Sequence, residues 1–155
     1  LANDPDFHGE CLGGAWYWED FRRLLLGVGC PDYRMISRTT LALEDPRMAA
    51  ISDGITFESG TVRCFKLADL EDRCEDYGQI VTYLGTVPQY PRSFPLDPEH
   101  SFEVGKPERV CGNTAAMIQD TRLARHFSVQ GNRSNHFGLF PCAPQSIQVA
   151  PSACC

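Results

Sequence analysis

The most regular pattern of apolar and polar residues lies between positions 17 and 28. This spacing predicts an amphipathic helix with one buried face. Its charges follow the helix dipole, and Glu19 is expected to pair with Arg23 one turn later. Gly27 and Gly29 predict the end of the helix. The apolar positions are Tyr17, Trp18, Phe21, Leu24, Leu25 and Val28.

Two extended stretches follow this helix. Residues 33–43 predict one strand, and residues 55–67 alternate as a longer strand that bends at Gly60. Between them, Asp45 and Pro46 predict the cap and the first position of a short helix. This order is typical of an open α/β sheet that closes with an antiparallel pair of edge strands. Such a sheet carries its cofactor loop on earlier parallel strands, and none is predicted here.

The second half of the chain mixes strand signals with turns. The acidic residues 68–76 predict a surface connection and a boundary between domains. Four prolines predict that residues 88–98 lack regular structure. Residues 141–155 are rich in proline and serine and are expected to form a disordered tail. The remaining predicted elements are a strand at 79–84, a hairpin of 101–104 and 109–111, a helix capped by Asn113 or Thr114, helical structure up to Phe127, and a strand at 137–140.

Length and charge narrow the class of protein. The 155 residues suit one ordinary domain, and the net charge of -6, with no basic cluster, argues against nucleic acid and anionic membrane as partners. No apolar run reaches the span of a bilayer, and residues 1–20 do not resemble a signal peptide. We therefore expect a soluble, cytoplasmic protein.

The cysteines offer the most distinctive chemistry. No C-x-x-C pair or Cys/His zinc spacing occurs, so we expect reduced thiols that the fold brings together. Cys11 lies in a glycine-rich loop before the first helix, where a helix N-terminus lowers a thiol pKa. It is either a nucleophile or soft-metal ligand, or a small buried residue in a tight loop. The eight cysteines are Cys11, Cys30, Cys64, Cys74, Cys111, Cys142, Cys154 and Cys155.

Five motifs carry a family resemblance. They are ECLGGAWYWED at 10–20, SGTVRCFKL at 59–67, CEDYGQ at 74–79, VCGNT at 110–114 and HFGLF at 136–140. In this order they resemble arsenite S-adenosylmethionine methyltransferases, and the resemblance covers only the C-terminal half of such an enzyme. It implies an α/β fold in which residues 1–67 close the edge of a Rossmann-like methyltransferase sheet and residues 68–140 form a small α+β domain.

The resemblance also implies a chemistry. Trivalent arsenic binds thiolates because soft acids select soft ligands, and its lone pair then attacks the methyl group of S-adenosylmethionine. Cys11 matches an arsenic-binding cysteine of the family. A second family cysteine falls at Ile55, which cannot ligate arsenic. Cys64 is the candidate replacement, although alternation places Ile55 and Cys64 on opposite faces unless a bulge near Gly60 intervenes.

The implied function is the C-terminal part of an arsenite methyltransferase, in which Cys11 and Cys64 bind trivalent arsenic for methyl transfer from S-adenosylmethionine. Arsenite or methylarsenite and a thiol reductant are the expected partners, and detoxification is the expected role. The chain alone is predicted to be inactive because the family binds its cofactor in the other half. Two alternatives remain: a non-catalytic thiol-rich protein that binds trivalent arsenic or a soft metal, and an interaction domain held by disulfides.

Overall fold

Helices and short antiparallel strands alternate along the chain. The computed structural model describes residue 3, residues 5–9 and residues 12–141. The helices are α1 (Pro5–Gly9), α2 (Trp18–Gly27), α3 (Pro46–Ser52) and α4 (Gly112–Gln119). The strands are β1 (Tyr33–Thr40), β2 (Glu58–Cys64), β3 (Ile80–Tyr83), β4 (Ser93–Asp97), β5 (His100–Glu103), β6 (Pro107–Arg109) and β7 (Phe127–Gln130). The protein is therefore a mixed α/β protein.

The chain divides into two compact units. Among the described residues, the first contains those up to 24 and 37–61, and the second contains 25–36 and 62–141. β1 and β2 pair in a two-stranded sheet. Within the described residues, no helix is both long enough and apolar enough to cross a bilayer. The division into domains 1–67 and 68–140 stays a prediction.

Helix α2 confirms the predicted position but not the predicted burial. None of its residues is buried; Trp18, Phe21 and Leu25 are half-buried, and Leu24 is exposed. The sequence contains the apolar stripe, but the rest of the described chain covers its side chains only in part. The prediction of a fully buried face is therefore wrong for this chain.

The charges of α2 also pair differently from the prediction. Glu19 pairs with Arg22 at 2.8 Å, and Asp20 pairs with Arg23 at 2.7 Å. Residues three apart lie on the same helix face as readily as residues four apart, so both patterns suit a helix. The predicted Glu19–Arg23 pair is not the one that forms.

The first unit has a small core of Phe7, Leu12, Met48 and Phe57. The sequence did not predict α1, although its Phe7 is fully buried. Asp45 caps α3 as predicted, since its side chain accepts a hydrogen bond from the Arg47 amide at 2.7 Å.

The second unit holds the larger core, around a three-stranded sheet. Its strand order is β6-β3-β7, and β3 is antiparallel to both neighbours. Val81 and Tyr83 of β3 are fully buried, and the aromatic ring of Tyr83 packs on Phe94 and Phe127. β4 and β5 form a separate antiparallel hairpin.

Four predictions for the second unit are wrong. Residues 88–98 contain strand β4, because Pro95 lies in a two-stranded sheet beside a register shift, where a missing amide donor is tolerated. β5 pairs with β4 and β6 pairs with β3, so the predicted hairpin across Gly105 does not form. β7 begins at Phe127, which was expected to be helical, and Leu139 forms only an isolated bridge to Glu75.

Helix α4 lies in the centre of the second unit and carries the feature that matters most for function. All its residues except the last are buried. Its N-cap is Cys111, which was not predicted: the sulfur accepts a hydrogen bond from the Thr114 amide at 3.5 Å. Gly112 is required next, because a Cβ there would meet the Tyr77 ring at 2.8 Å. A cysteine sulfur thus occupies the N-terminus of a buried helix.

Candidate functional site

Cys11 and the tail cysteines lie outside the described residues, and so does the predicted disordered tail apart from residue 141. Only the flanks of Cys11 are placed. The amides of Leu12 and Gly13 both donate to the Phe7 carbonyl, at 2.8 and 2.7 Å, and Leu12 is buried. α1 ends at Gly9 and α2 begins only at Trp18. The role of Cys11 stays a prediction, and so does the proposed effect of a helix N-terminus on its thiol.

Ile55 lies outside strand β2, which begins at Glu58. Its side chain is 53% exposed, and it follows the turn at Asp53 and Gly54, both of which have positive φ. The expectation that Ile55 and Cys64 lie on opposite faces of one strand therefore does not apply. Cys64 is the last residue of β2 and is exposed.

Cys64 has a thiol neighbour that the sequence did not reveal. Cys30, which is buried, lies close enough to Cys64 to affect the pKa of its thiol. Gly29, at φ +86°, ends the turn after α2, and the Cys30 amide then donates to the Leu25 carbonyl at 2.8 Å. Burial and the neighbouring Cys30 raise the pKa of the Cys64 thiol. The pair is therefore a dithiol with one exposed sulfur.

The strand segment around Cys64 lines a groove of about 870 Å³. Aromatic side chains, among them Tyr90 and Phe94, line part of it, and Arg122 and Arg125 add positive charge. Cys64 is thus accessible from a cavity large enough for a small ligand.

A second pair of cysteines lies at the N-terminus of α4. Cys74 is half-buried, Cys111 is 1% exposed, and their side chains are neighbours. The hydrogen bonds from Cys74 and Thr114, together with the charge of Arg34, outweigh burial and lower the pKa of Cys111 to about 4. These neighbours therefore favour the thiolate form of Cys111.

Arg34 supplies the positive charge of this centre. Its guanidinium is 5% exposed and donates to Asp32 at 3.2 Å and to Thr114 Oγ1 at 3.0 Å. It also approaches Asp97 at 3.5 Å. Burial alone would lower the pKa of Arg34, but Asp32, Cys111 and Asp97 outweigh it and raise the pKa. Arg34 thus stays charged inside the second unit.

The two carboxylates beside Arg34 respond differently. Burial raises the pKa of Asp32 in spite of Arg34. Burial would also raise the pKa of Asp97, but the hydrogen bond and charge of His100, with help from Arg34, hold it below its ordinary value. Asp97 is therefore the firmer counter-charge of the guanidinium.

The CEDYGQ motif has a structural role as well. Asp76 is buried, accepts a hydrogen bond from the Gly78 amide at 2.8 Å and pairs with Arg109 at 2.6 Å. The Gly78 hydrogen bond is the first cause of the low pKa of Asp76. This turn holds Cys74 near α4, because the Gly112 amide donates to the Glu75 carbonyl at 2.8 Å.

The expectation of reduced cysteines stays a prediction. Cys30, Cys64, Cys74 and Cys111 form no disulfide. No group of three or more metal-binding side chains occurs within residues 5–9 and 12–141. The structure therefore offers two thiol pairs rather than a metal cluster.

Comparisons with known proteins give this arrangement a family. The model of the arsenite methyltransferase C-terminal domain matches residues 77–153. An arsenite methyltransferase of Aquipseudomonas alcaligenes is 43% identical over 162 residues, spanning 100% of this chain and 47% of that protein. The arsenite methyltransferase of Mus musculus is 31% identical over 122 residues, spanning 77% of this chain and 31% of that protein.

A solved structure agrees with the sequence relatives. The crystal structure of CrArsM, an arsenic(III) S-adenosylmethionine methyltransferase from Chlamydomonas reinhardtii, matches with a TM-score of 0.84 at 39% identity. The match covers 90% of this chain and 46% of that one. This chain thus spans less than half the length of these relatives. It belongs to the arsenite methyltransferase family and corresponds to the C-terminal part of its members.

Proposed function

We propose that this chain supplies thiol ligands for trivalent arsenic in an arsenite S-adenosylmethionine methyltransferase. The observation that carries the proposal is the Cys30–Cys64 pair, in which an exposed thiol contacts a second thiol at the edge of a groove. Trivalent arsenic is a soft acid that selects sulfur ligands. A monosubstituted arsenical with two hydroxyl groups condenses with two thiols, forms two As–S bonds and releases two water molecules.

Cys11 is the second proposed arsenic ligand. It matches the arsenic-binding cysteine of the family within the ECLGGA motif. Its neighbours Phe7 and Leu12 are anchored in the core of the first unit, which gives the loop a fixed base. We propose Cys11 and Cys64 as separate thiol ligands.

S-adenosylmethionine does not fit the described residues. β3 is antiparallel to β6 and β7, and β4 is antiparallel to β5. A nucleotide-type cofactor is bound at the carboxyl ends of parallel strands, beside a glycine-rich turn and a helix N-terminus. We propose that the part of the family outside this chain binds it, and that this chain alone binds arsenicals without methylating them.

The division into a sheet edge and a small domain belongs to the same proposal. Residues 1–67 would complete a Rossmann-like methyltransferase sheet, and residues 68–140 would form the α+β domain. The exposed apolar side chains of Tyr17, Leu24 and Val28 support this, because a helix that fully packs in its domain buries such a stripe. The reducing cytoplasm and a thiol reductant are proposed because arsenic ligation requires reduced cysteines.

Titration with phenylarsine oxide, followed by native mass spectrometry, tests the arsenic ligands. The wild-type chain is expected to take up the arsenical, and Cys64→Ser and Cys11→Ser should each lose part of it. Ser59→Ala, an exposed change on the same strand as Cys64, is the matched control and should bind like the wild type. Unchanged uptake by Cys64→Ser would contradict its role.

A fusion protein tests the enzymatic part of the proposal. The bacterial relative, with its C-terminal part replaced by this chain, should convert arsenite to methylated arsenic when S-adenosylmethionine and a thiol reductant are present. This chain alone should form no product under the same conditions. Methylation by the chain alone would disprove the division of labour. A folded fusion that binds arsenicals without methylating them would identify a non-catalytic thiol protein instead.

A further inference from the structure

The Cys74–Cys111 pair carries a chemistry separate from arsenic binding. Backbone hydrogen bonds fix the positions of both cysteines. The Gly112 amide donates to the Glu75 carbonyl at 2.8 Å, and the Phe140 amide donates to the Cys74 carbonyl at 2.7 Å. Because Glu75 follows Cys74 and Gly112 follows Cys111, the first of these hydrogen bonds holds the backbones of the two cysteines side by side. A disulfide requires neighbouring backbones of this kind.

The surroundings of Cys111 favour the thiolate. Thr114 presents its amide at 3.5 Å and its hydroxyl at 3.3 Å from the sulfur, at the N-terminus of α4. Arg34 lies beside the same sulfur, and its Nε is buried without a hydrogen-bond partner in the described part of the chain. A cation and a helix N-terminus are the two features that make cysteines reactive.

Cys74 provides the access that Cys111 lacks. Cys111 is almost completely buried, whereas Cys74 is half-buried and follows the exposed residues Asp72 and Arg73. A small molecule therefore reaches Cys74 first. The pair combines one accessible sulfur with one buried thiolate behind it.

We propose that Cys74 and Cys111 form a thiol–disulfide exchange site for small disulfides of the glutathione class. The Cys74 sulfur attacks the disulfide, forms a mixed disulfide and releases one glutathione, which takes the Cys74 proton. The Cys111 thiolate then attacks the Cys74 sulfur, and the second glutathione leaves as its thiolate. Two protein sulfur atoms are oxidised and one glutathione disulfide is reduced to two glutathione molecules.

The same charges make the bond easy to reopen. Oxidation removes the negative charge of Cys111 and leaves Arg34 with Asp32 and Asp97 alone. A reduced form that is stabilised as a thiolate makes its disulfide a stronger oxidant. The site therefore exchanges reversibly. It does not rest on arsenic binding, because Cys30 and Cys64 are other residues.

Incubation of the chain with oxidised glutathione, followed by alkylation and peptide mapping, tests the site. In the wild type, a Cys74–Cys111 disulfide should form before any Cys30–Cys64 disulfide, with two glutathione molecules released per chain. Cys111→Ser should stop at a mixed disulfide on Cys74, and Cys74→Ser should leave Cys111 unmodified. Ser128→Ala, an exposed change on β7, is the control and should keep the wild-type rate.

The wild-type result decides the matter even where a variant fails to fold. A folded wild-type chain that forms no Cys74–Cys111 disulfide, or forms only Cys30–Cys64, would overturn the proposal. The pH dependence gives a second readout. Release of the second glutathione from the mixed disulfide should rise less steeply between about pH 6 and pH 8 than the reaction of an ordinary thiol, because Thr114 and Arg34 still face the Cys111 sulfur after Cys74 has reacted. A rate that rises tenfold per pH unit would show that Cys111 attacks as an ordinary thiol.

Discussion

The two thiol pairs are built alike, but the pKa shifts of Cys64 and Cys111 have opposite signs. Each combines a buried cysteine with a more accessible one: Cys30 with Cys64, and Cys111 with Cys74. Burial and Cys30 raise the pKa of Cys64, whereas its neighbours lower the pKa of Cys111 to about 4. Cys111, although almost completely buried, therefore has a lower pKa than the exposed Cys64.

The comparison shows that burial raises the pKa of a thiol unless neighbouring donors and charges outweigh it. Cys64 ends a strand, and burial, followed by its neighbour Cys30, raises its pKa. Cys111 caps a helix beside a buried guanidinium and a threonine. Desolvation opposes the charged form at both sites, and only one site has the partners to overcome it. The chemistry of the Cys30–Cys64 pair thus suits ligation of soft metals, and that of the Cys74–Cys111 pair suits nucleophilic exchange.

Replacing Arg34 should have the largest effect on the Cys74–Cys111 pair and on the stability of the chain. Arg34→Met removes the guanidinium between Asp32, Asp97 and Cys111, and so leaves buried anions without a counter-charge. The loss of one partner of a buried ion pair costs about 3–5 kcal/mol. Urea unfolding measures this cost. Arg22→Met, which removes an exposed ion pair with Glu19, is the control and should cost less than about 1 kcal/mol. Equal losses in the two variants would show that Arg34 is not the organising charge.

A smaller effect is expected from Thr114. Its hydroxyl accepts from Arg34 at 3.0 Å and contacts the Cys111 sulfur at 3.3 Å. Thr114→Val keeps the shape but leaves a buried donor unsatisfied, which costs about 1–3 kcal/mol. The exposed Thr61→Val should stay within about 0.5 kcal/mol of the wild type. Thermal and urea unfolding give both values, and a neutral Thr114→Val would remove this hydroxyl from the explanation.

The smallest expected difference between the two pairs lies in how their stability depends on pH. The folded pKa of Cys111 lies below its unfolded value, so its contribution is complete above the unfolded pKa and is lost as pH falls towards about 4. Between about pH 5 and pH 8, the wild type should gain up to about 1.4 kcal/mol per pH unit relative to Cys111→Ser. Cys64→Ser should run parallel to the wild type there. Parallel curves for Cys111→Ser would contradict the thiolate.

Local signals in the sequence predicted the elements with strong caps and periods. α2, α3, β1 and β3 lie where glycine, proline and alternation placed them. Partnerships between strands were not predictable, because turn residues near Gly105 fit a local hairpin and only the core decides that β5 pairs with β4. Pro95 led to the wrong prediction for residues 88–98, because a strand tolerates a proline where the missing amide donor is not needed.

The candidate sites were predicted only as isolated residues. Cys64 was named, but its neighbour Cys30 is 34 positions earlier, and nothing in the spacing joins them. Cys74 and Cys111 occurred in family motifs without an assigned role. Arg34 was one residue of a strand, and its buried charge depends on the neighbouring Asp32 and on two distant segments, around Asp97 and Thr114. Contacts across the fold, rather than motifs, create both pairs.

The most direct test of the central claim is an ultraviolet titration of thiolate absorbance with pH. The wild type should show one cysteine that ionises near the value of about 4 at Cys111, and this transition should vanish in Cys111→Ser but persist in Cys64→Ser. Cys64→Ser should instead lose a transition above the ordinary thiol pKa. A folded wild-type chain whose cysteines all ionise at or above that ordinary pKa would contradict the account.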